Sequence, residues 1–353
     1  MAISFTKKKV AASNEKLALS NKHETLPDKP PTPNLTGSPT EVKAAWSPTP
    51  FIDKISVVVE PAHDQDAHDI YNGLFTYFHD HDVFLDVKGG KWGEYKVAKK
   101  IALDSVTDFK KLPLLQCAYE AKMPDKPGKA LKIRIEFVPV DLGWEGMAHL
   151  NAALVMVMPS GWNYVMKNGH ITRLDVAVDF PDVLMDEFHF MPLQGATTKQ
   201  WRMNGKLQTY THGKPQGNHT AIYDRKEKRK AHKQPWIGKE GMRIERRIKA
   251  PPITMLKDLV HLPNPFTAMN MVSMPISPPP ESQKFLFIWD LFRKAAEANG
   301  LTAALALLPE ERRTLYRKHL AANIQPWWNP DAIWANWPAM LDELKIGSPG
   351  SWL

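Results

Sequence analysis

The 353 residues carry 46 Lys and Arg against 38 Asp and Glu, a net charge of +8, and 43% of them are apolar. That mix excludes a chain too polar to bury a core, the length predicts a principal domain with a smaller one beside it, and the basic excess points to a polyanionic partner. The single cysteine, Cys117, excludes an intrachain disulfide or a cysteine zinc site and predicts a reducing cytoplasm, while the longest apolar run, 152–158, is far too short to cross a membrane.

In chain order, 1–50 is rich in Lys, Ser, Thr and Pro and reads as a disordered basic, proline-rich arm without a signal peptide. The β-branched run 55–60 (ISVVVE), closed by Pro61, predicts a strand, and the apolar spacing of 66–79 predicts a helix after it. Short alternating segments at 95–103, 114–121 and 131–137 predict an antiparallel meander with one polar face, and 144–158 a helix packed across it. Strands follow at 171–180, at 206–226 as a hairpin turning at 213–217, and at 242–248. The run PISPPP at 275–280 breaks the chain, and three helical stretches, 282–299, 302–323 and 330–344, complete it with Trp327, Trp328, Trp334 and Trp337 as core or docking residues. No internal repeat is evident in the letters of the sequence.

Charge is concentrated locally. From Lys199 to Lys249 there are fifteen Lys and Arg against four acids, a net of +11 that exceeds the charge of the whole chain. The strand at 171–180 puts Arg173, Asp175 and Asp179 on one face and Leu174, Val176, Val178 and Phe180 on the other; the strand at 242–248 does the same with Arg243, Glu245 and Arg247. A glutamate framed by arginines suits ion pairing. Should Glu136, Asp175 and Glu245 instead converge on one sheet face, they form an all-oxygen set of the kind that holds Mg²⁺ or Mn²⁺ rather than zinc.

Tyr223 ends its strand directly before Asp224 and a basic run, Arg225, Lys226, Lys228, Arg229 and Lys230. It can simply pack, or its hydroxyl can emerge where phosphates gather, with nearby cations lowering the phenol's pKa. Trp201, Tyr210 and Trp236 are candidates for stacking unpaired bases. His79 and His81 read as a surface helix end, His212 and His219 flank the hairpin turn without an assignable partner, and the absence of GxxxxGK[ST] removes support for ATP hydrolysis.

The ordered trio ITRLDVAVDF (171–180), HTAIYDRKEK (219–228) and MRIERRIK (242–249) resembles the replication initiation factor family of rolling-circle plasmids and the initiators of filamentous phages. The resemblance covers 51 to about 270. It implies nicking of one strand of a double-stranded origin, with Tyr223 left on the 5′ phosphate and a free 3′ hydroxyl for host polymerase. Carried onto this chain, it makes Tyr223 the nucleophile and Asp175 and Glu245 metal ligands with Glu136 as a third. Arg173 and Arg243 would hold phosphates, with Arg225, Lys226, Lys228, Arg229, Lys230 and Arg247 as further DNA contacts. The tryptophan-rich C-terminus has no counterpart in that pattern.

The expected class is α+β: a mostly antiparallel sheet in a nuclease domain over 51–275, helices packed on one face, and a small helical C-terminal domain over 281–353. Expected partners are origin DNA in double- and single-stranded form with a host helicase and polymerase, in the cytoplasm and without a membrane. The rival expectations are a non-catalytic DNA-binding regulator of replication or transcription, which needs the +11 window but not Tyr223, and a single-strand RNA binder.

Overall fold

The computed structural model describes residues 48–87, 95–118, 131–193, 197–214, 217–236, 238–249, 251–273 and 277–346. The arm expected over 1–50 lies almost wholly outside them, as do 275 and 276 of the proline-rich break at 275–280.

The chain opens with β1 (Phe51–Val59), α1 (Asp64–Tyr77) and four meandering strands, β2 (Phe84–Asp86), β3 (Val97–Ile101), β4 (Leu114–Cys117) and β5 (Ile133–Phe137). Helices α2 (Pro139–Val157) and α3 (Trp162–Asn168) lead to the long β6 (Gly169–Pro181). A second run follows: β7 (Phe188–Pro192), β8 (Thr198–Met203), β9 (Lys206–Gly213), β10 (His219–Asp224), the short helix α4 (Arg225–Ala231) and β11 (Gly241–Lys249). Strand β12 (Met269–Ser273) precedes α5 (Leu286–Asn299), α6 (Leu301–Ala306), α7 (Glu310–Ala321), α8 (Pro330–Trp334) and α9 (Trp337–Glu343).

Ten strands form one sheet in the order β2-β3-β4-β5-β1-β6-β11-β10-β9-β8, every neighbouring pair antiparallel, and β7 pairs with β12 beside it. The expected α+β class with a mostly antiparallel sheet therefore holds. Outward from the central β1–β6 pair, the two halves have the same order: β1, β5, β4, β3, β2 on one side and β6, β11, β10, β9, β8 on the other. In the letters of the sequence this repeat of topology leaves little beyond an Arg-Ile-Glu shared by β5 and β11.

The period-2 alternation decides which face is buried. Ile55, Val57 and Val59 of β1, Ile133, Ile135 and Phe137 of β5, Leu174, Val176, Val178 and Phe180 of β6, and Ile244 and Ile248 of β11 share one core with Leu150, Leu154 and Val157 of α2 and Val165 of α3. Helices thus cover one face, and the alternate residues, largely charged, line the other. A register shift in β1 between Ile52 and Lys54 inserts Asp53 as a bulge, so Asp53 and Lys54 both make contacts on the charged face. At the β9–β10 turn, Gly213 takes φ +95°, where a Cβ would meet the Asn218 carbonyl oxygen at 2.4 Å, so glycine is required there.

The C-terminal helices divide between two cores. Trp289 and Phe292 of α5 and Tyr316 and Leu320 of α7 form a small second cluster, whereas Trp328, Ile333, Trp337 and Leu341 join the main one. The indole N–H groups of Trp328, Trp334 and Trp337 donate to the carbonyls of Met269, Leu262 and Leu259 at 3.0, 3.1 and 3.0 Å. These are the docking tryptophans expected from the sequence, and residues 45–353 fall into one compact unit.

Candidate active site

The pairing of β10 with β11 sets the site. Tyr223 lies opposite Arg243 and Ala221 opposite Glu245, so the phenol reaches diagonally across to the carboxylate on β11: its O–H donates to Glu245 Oε2 at 3.2 Å. Helix α4 starts at the next residue but one. Its N-cap is Asp224, whose carboxylate accepts from the Glu227 N–H at 3.0 Å, an Asp-x-x-Glu start that needs no apolar face. One turn in, Lys228 folds back over the sheet, its Nζ 3.6 Å from the Tyr223 ring centroid and 3.7 Å from Glu245. Arg225 anchors the same helix, 3.3 Å from Asp179 and stacked on Trp236.

β11 and β6 extend the array. Arg243 binds Asp179 at 2.6 Å and Asp53 at 2.7 Å. Arg247 lies between Asp175 at 3.4 Å and Glu245 at 3.7 Å, and Arg173 forks onto Asp175 at 2.5–3.2 Å. Asp175, 1% exposed, is thereby held by two guanidiniums. Tyr223, Asp175, Glu245 and Glu136 all lie on the charged sheet face, but Glu136 is two strands away from Asp175, on β5, and is paired with Lys54 at 2.6 Å and Arg134 at 2.8 Å.

Two expectations change here. Among the described residues no group of three or more His, Cys, Asp or Glu forms a metal site. Glu136, Asp175 and Glu245 do not fit Mg²⁺ or Mn²⁺ in this arrangement: Arg and Lys groups already compensate each carboxylate, and Glu136 sits with a different strand pair. Nor is the phenol acidified. Tyr223 is 5% exposed, and burial followed by the adjacent Glu245 raises its pKa well above the ordinary 10, outweighing Arg243. Burial and Glu245 likewise raise Asp53 above the ordinary carboxylate range, and burial lowers Lys228 against the pull of Glu245. At Glu136 burial also disfavours the charge, but the Lys54 hydrogen bond and the Lys54 and Arg134 charges prevail and lower its pKa.

Most of the expected phosphate-binding cations carry internal partners. Besides those above, Lys226 pairs with Glu240, Lys230 lies 3.9 Å from Glu227, and Arg229 donates to the Pro235 carbonyl. Of the stacking candidates, Trp201 is half exposed, but Tyr210 is buried on the opposite face against Phe190, closed to bases. Asp53, Asp179, Lys54 and Arg134 complete the array. Alternation alone places Asp179 on the polar face; Asp53 escapes it because a bulge breaks the pattern that would have revealed it.

No protein-family model and no curated protein sequence matches the chain. Among solved structures, a rolling circle replication initiator protein from Geobacillus stearothermophilus aligns over 67% of this chain and 91% of its own at 15% identity and a TM-score of 0.33, a likeness too loose to carry an argument.

Proposed function

We propose that this chain nicks one strand of DNA by transesterification at Tyr223, as a rolling-circle replication initiator does at an origin. The observation that carries the reading is the hydrogen bond from the phenol to Glu245 within a field of arginines. A phenol with a raised pKa needs a base at the moment of attack, and Glu245 is in place to be that base. The tyrosine oxygen forms a bond to phosphorus, its proton passes to Glu245, and the bond from phosphorus to the 3′ oxygen breaks. The leaving oxygen takes a proton from solvent to become a 3′ hydroxyl, and the 5′ phosphate stays on Tyr223. Arg243 and Arg247, flanking Glu245 on β11, offset charge on the phosphoryl oxygens. Rejoining is the reverse. No step runs through Mg²⁺ or Mn²⁺, because the three acids the resemblance would assign to a metal are not gathered.

The test is incubation of supercoiled origin plasmid with wild type and Tyr223→Phe, scoring nicked circles and protein–DNA adduct. The expected result is adduct with wild type and none with the variant, its nicking falling at least about 10³-fold. Equal nicking and adduct would overturn the assignment. A second reading, DNA binding without cleavage, is favoured by the burial of the phenol; it expects neither protein to nick and both to bind with similar affinity.

A further inference from the structure

The nine cations named on the charged face and on α4 as ion-paired, Lys54, Arg134, Arg173, Arg225, Lys226, Lys228, Lys230, Arg243 and Arg247, each have an acid of this chain beside them. Such charges release fewer counterions than free ones when a polyanion arrives. The β9–β10 hairpin end is different. Lys199 of β8 lies opposite Thr211, Lys214 follows Gly213 at the turn, and the Lys249 N–H is held by the Asn218 side chain across it. All three lysines are exposed, and none has an ion pair among the described residues.

On the opposite face of the same end, Thr198, His212, Thr220 and Arg246 form one lateral row across β8, β9, β10 and β11. Arg246 donates to the Thr220 hydroxyl at 2.7 Å but has no carboxylate among the described residues, and its Nε is buried without a hydrogen-bond partner. His212, 4% exposed, has an unpartnered Nδ1, and burial, then Arg246, lowers its pKa to about 4, so it is neutral and leaves the guanidinium charge unmet. A half-buried cation with no internal counterion has its charge met from outside.

We propose that this hairpin end, Lys199, Lys214, Arg246 and Lys249, is a docking surface for the phosphate backbone of duplex DNA flanking the nick. The identity of the partner rests on the reading of Tyr223 given above. Ammonium groups on flexible stems suit phosphate oxygens rather than base edges, so the surface positions the duplex and does not read its sequence.

The test measures duplex affinity against salt concentration for wild type, for the triple variant Lys199→Gln, Lys214→Gln, Lys249→Gln, and for Arg246→Gln. The slope of log K on log salt should fall by about 0.9 for each phosphate no longer neutralised, hence by about 3 for the triple variant and about 1 for Arg246→Gln. An unchanged slope in the triple variant overturns the surface, and one in Arg246→Gln overturns the place of Arg246 in it. An effect confined to RNA overturns the choice of DNA. Adduct formation on a short single-stranded oligonucleotide, too small to reach the hairpin, reports on Tyr223 alone. A slope drop without adduct leaves the surface standing and removes the cutting reading; adduct with an unchanged slope does the reverse.

Discussion

β5 and β11 hold the same place in their halves of the sheet and carry the same tripeptide, Arg134-Ile135-Glu136 in one and Arg243-Ile244-Glu245 in the other. In each, the glutamate lies on the charged face beside basic groups. The difference is one strand further out: Arg134 faces Gln116 of β4, whereas Arg243 faces Tyr223 of β10. Glu136 is consequently spent on Lys54 and Arg134, while Glu245 receives a phenol. A shared backbone and a shared tripeptide therefore do not make a site; the residue presented by the neighbouring strand does.

The strongest way to break this comparison is to neutralise the two glutamates separately. Glu245→Gln should lower adduct formation by about 10² to 10⁴-fold, the range for removal of a positioned base. Glu136→Gln should stay within about threefold of wild type, a difference too small to reflect removal of a catalytic group. Equal losses would show that both halves serve the reaction.

A smaller effect is expected from Asp175→Asn, which leaves Arg173 and Arg247 without their shared anion. Unfolding in urea should show a loss of about 3–5 kcal/mol, toward the low end because both guanidiniums reach solvent. A change below about 1 kcal/mol would mean that the arginines find other partners.

The least effect is in acid. Because the Glu136 pKa is lowered in the folded protein, its contribution is full above the ordinary 4.5 and is lost as pH falls through the lowered value. Thermal melts of wild type and Glu136→Gln should differ at neutral pH, begin to approach each other below about 4.5 and meet only once the pH is below the lowered value; parallel curves would deny the ion pair.

Much of the sheet is legible in the sequence because strands with one polar and one apolar face alternate, as β5, β6 and β11 do. Strand β8 is not, because both of its faces are largely open and no alternation marks it. Helix α4, RKEKRKA, buries no residue and so lacks apolar periodicity; its available signal is Asp224 followed three residues later by Glu227. The place of Tyr223 on the charged face follows from spacing, but its pKa does not. The basic run suggests acidification, and only the folded chain shows Lys228 lying over the ring while Glu245 takes the hydroxyl.

Among the described residues the ten-stranded sheet does not close on itself, and its two margins are β2 and β8. β2 is three residues long, too short to template another chain. β8 is longer and more open, and there Lys199 is exposed, while Arg202 turns onto the carbonyls of Gly205 and Glu297. A second copy approaching margin to margin would bring the exposed ammonium of Lys199 towards its own image, a charge on an edge strand that disfavours pairing from edge to edge.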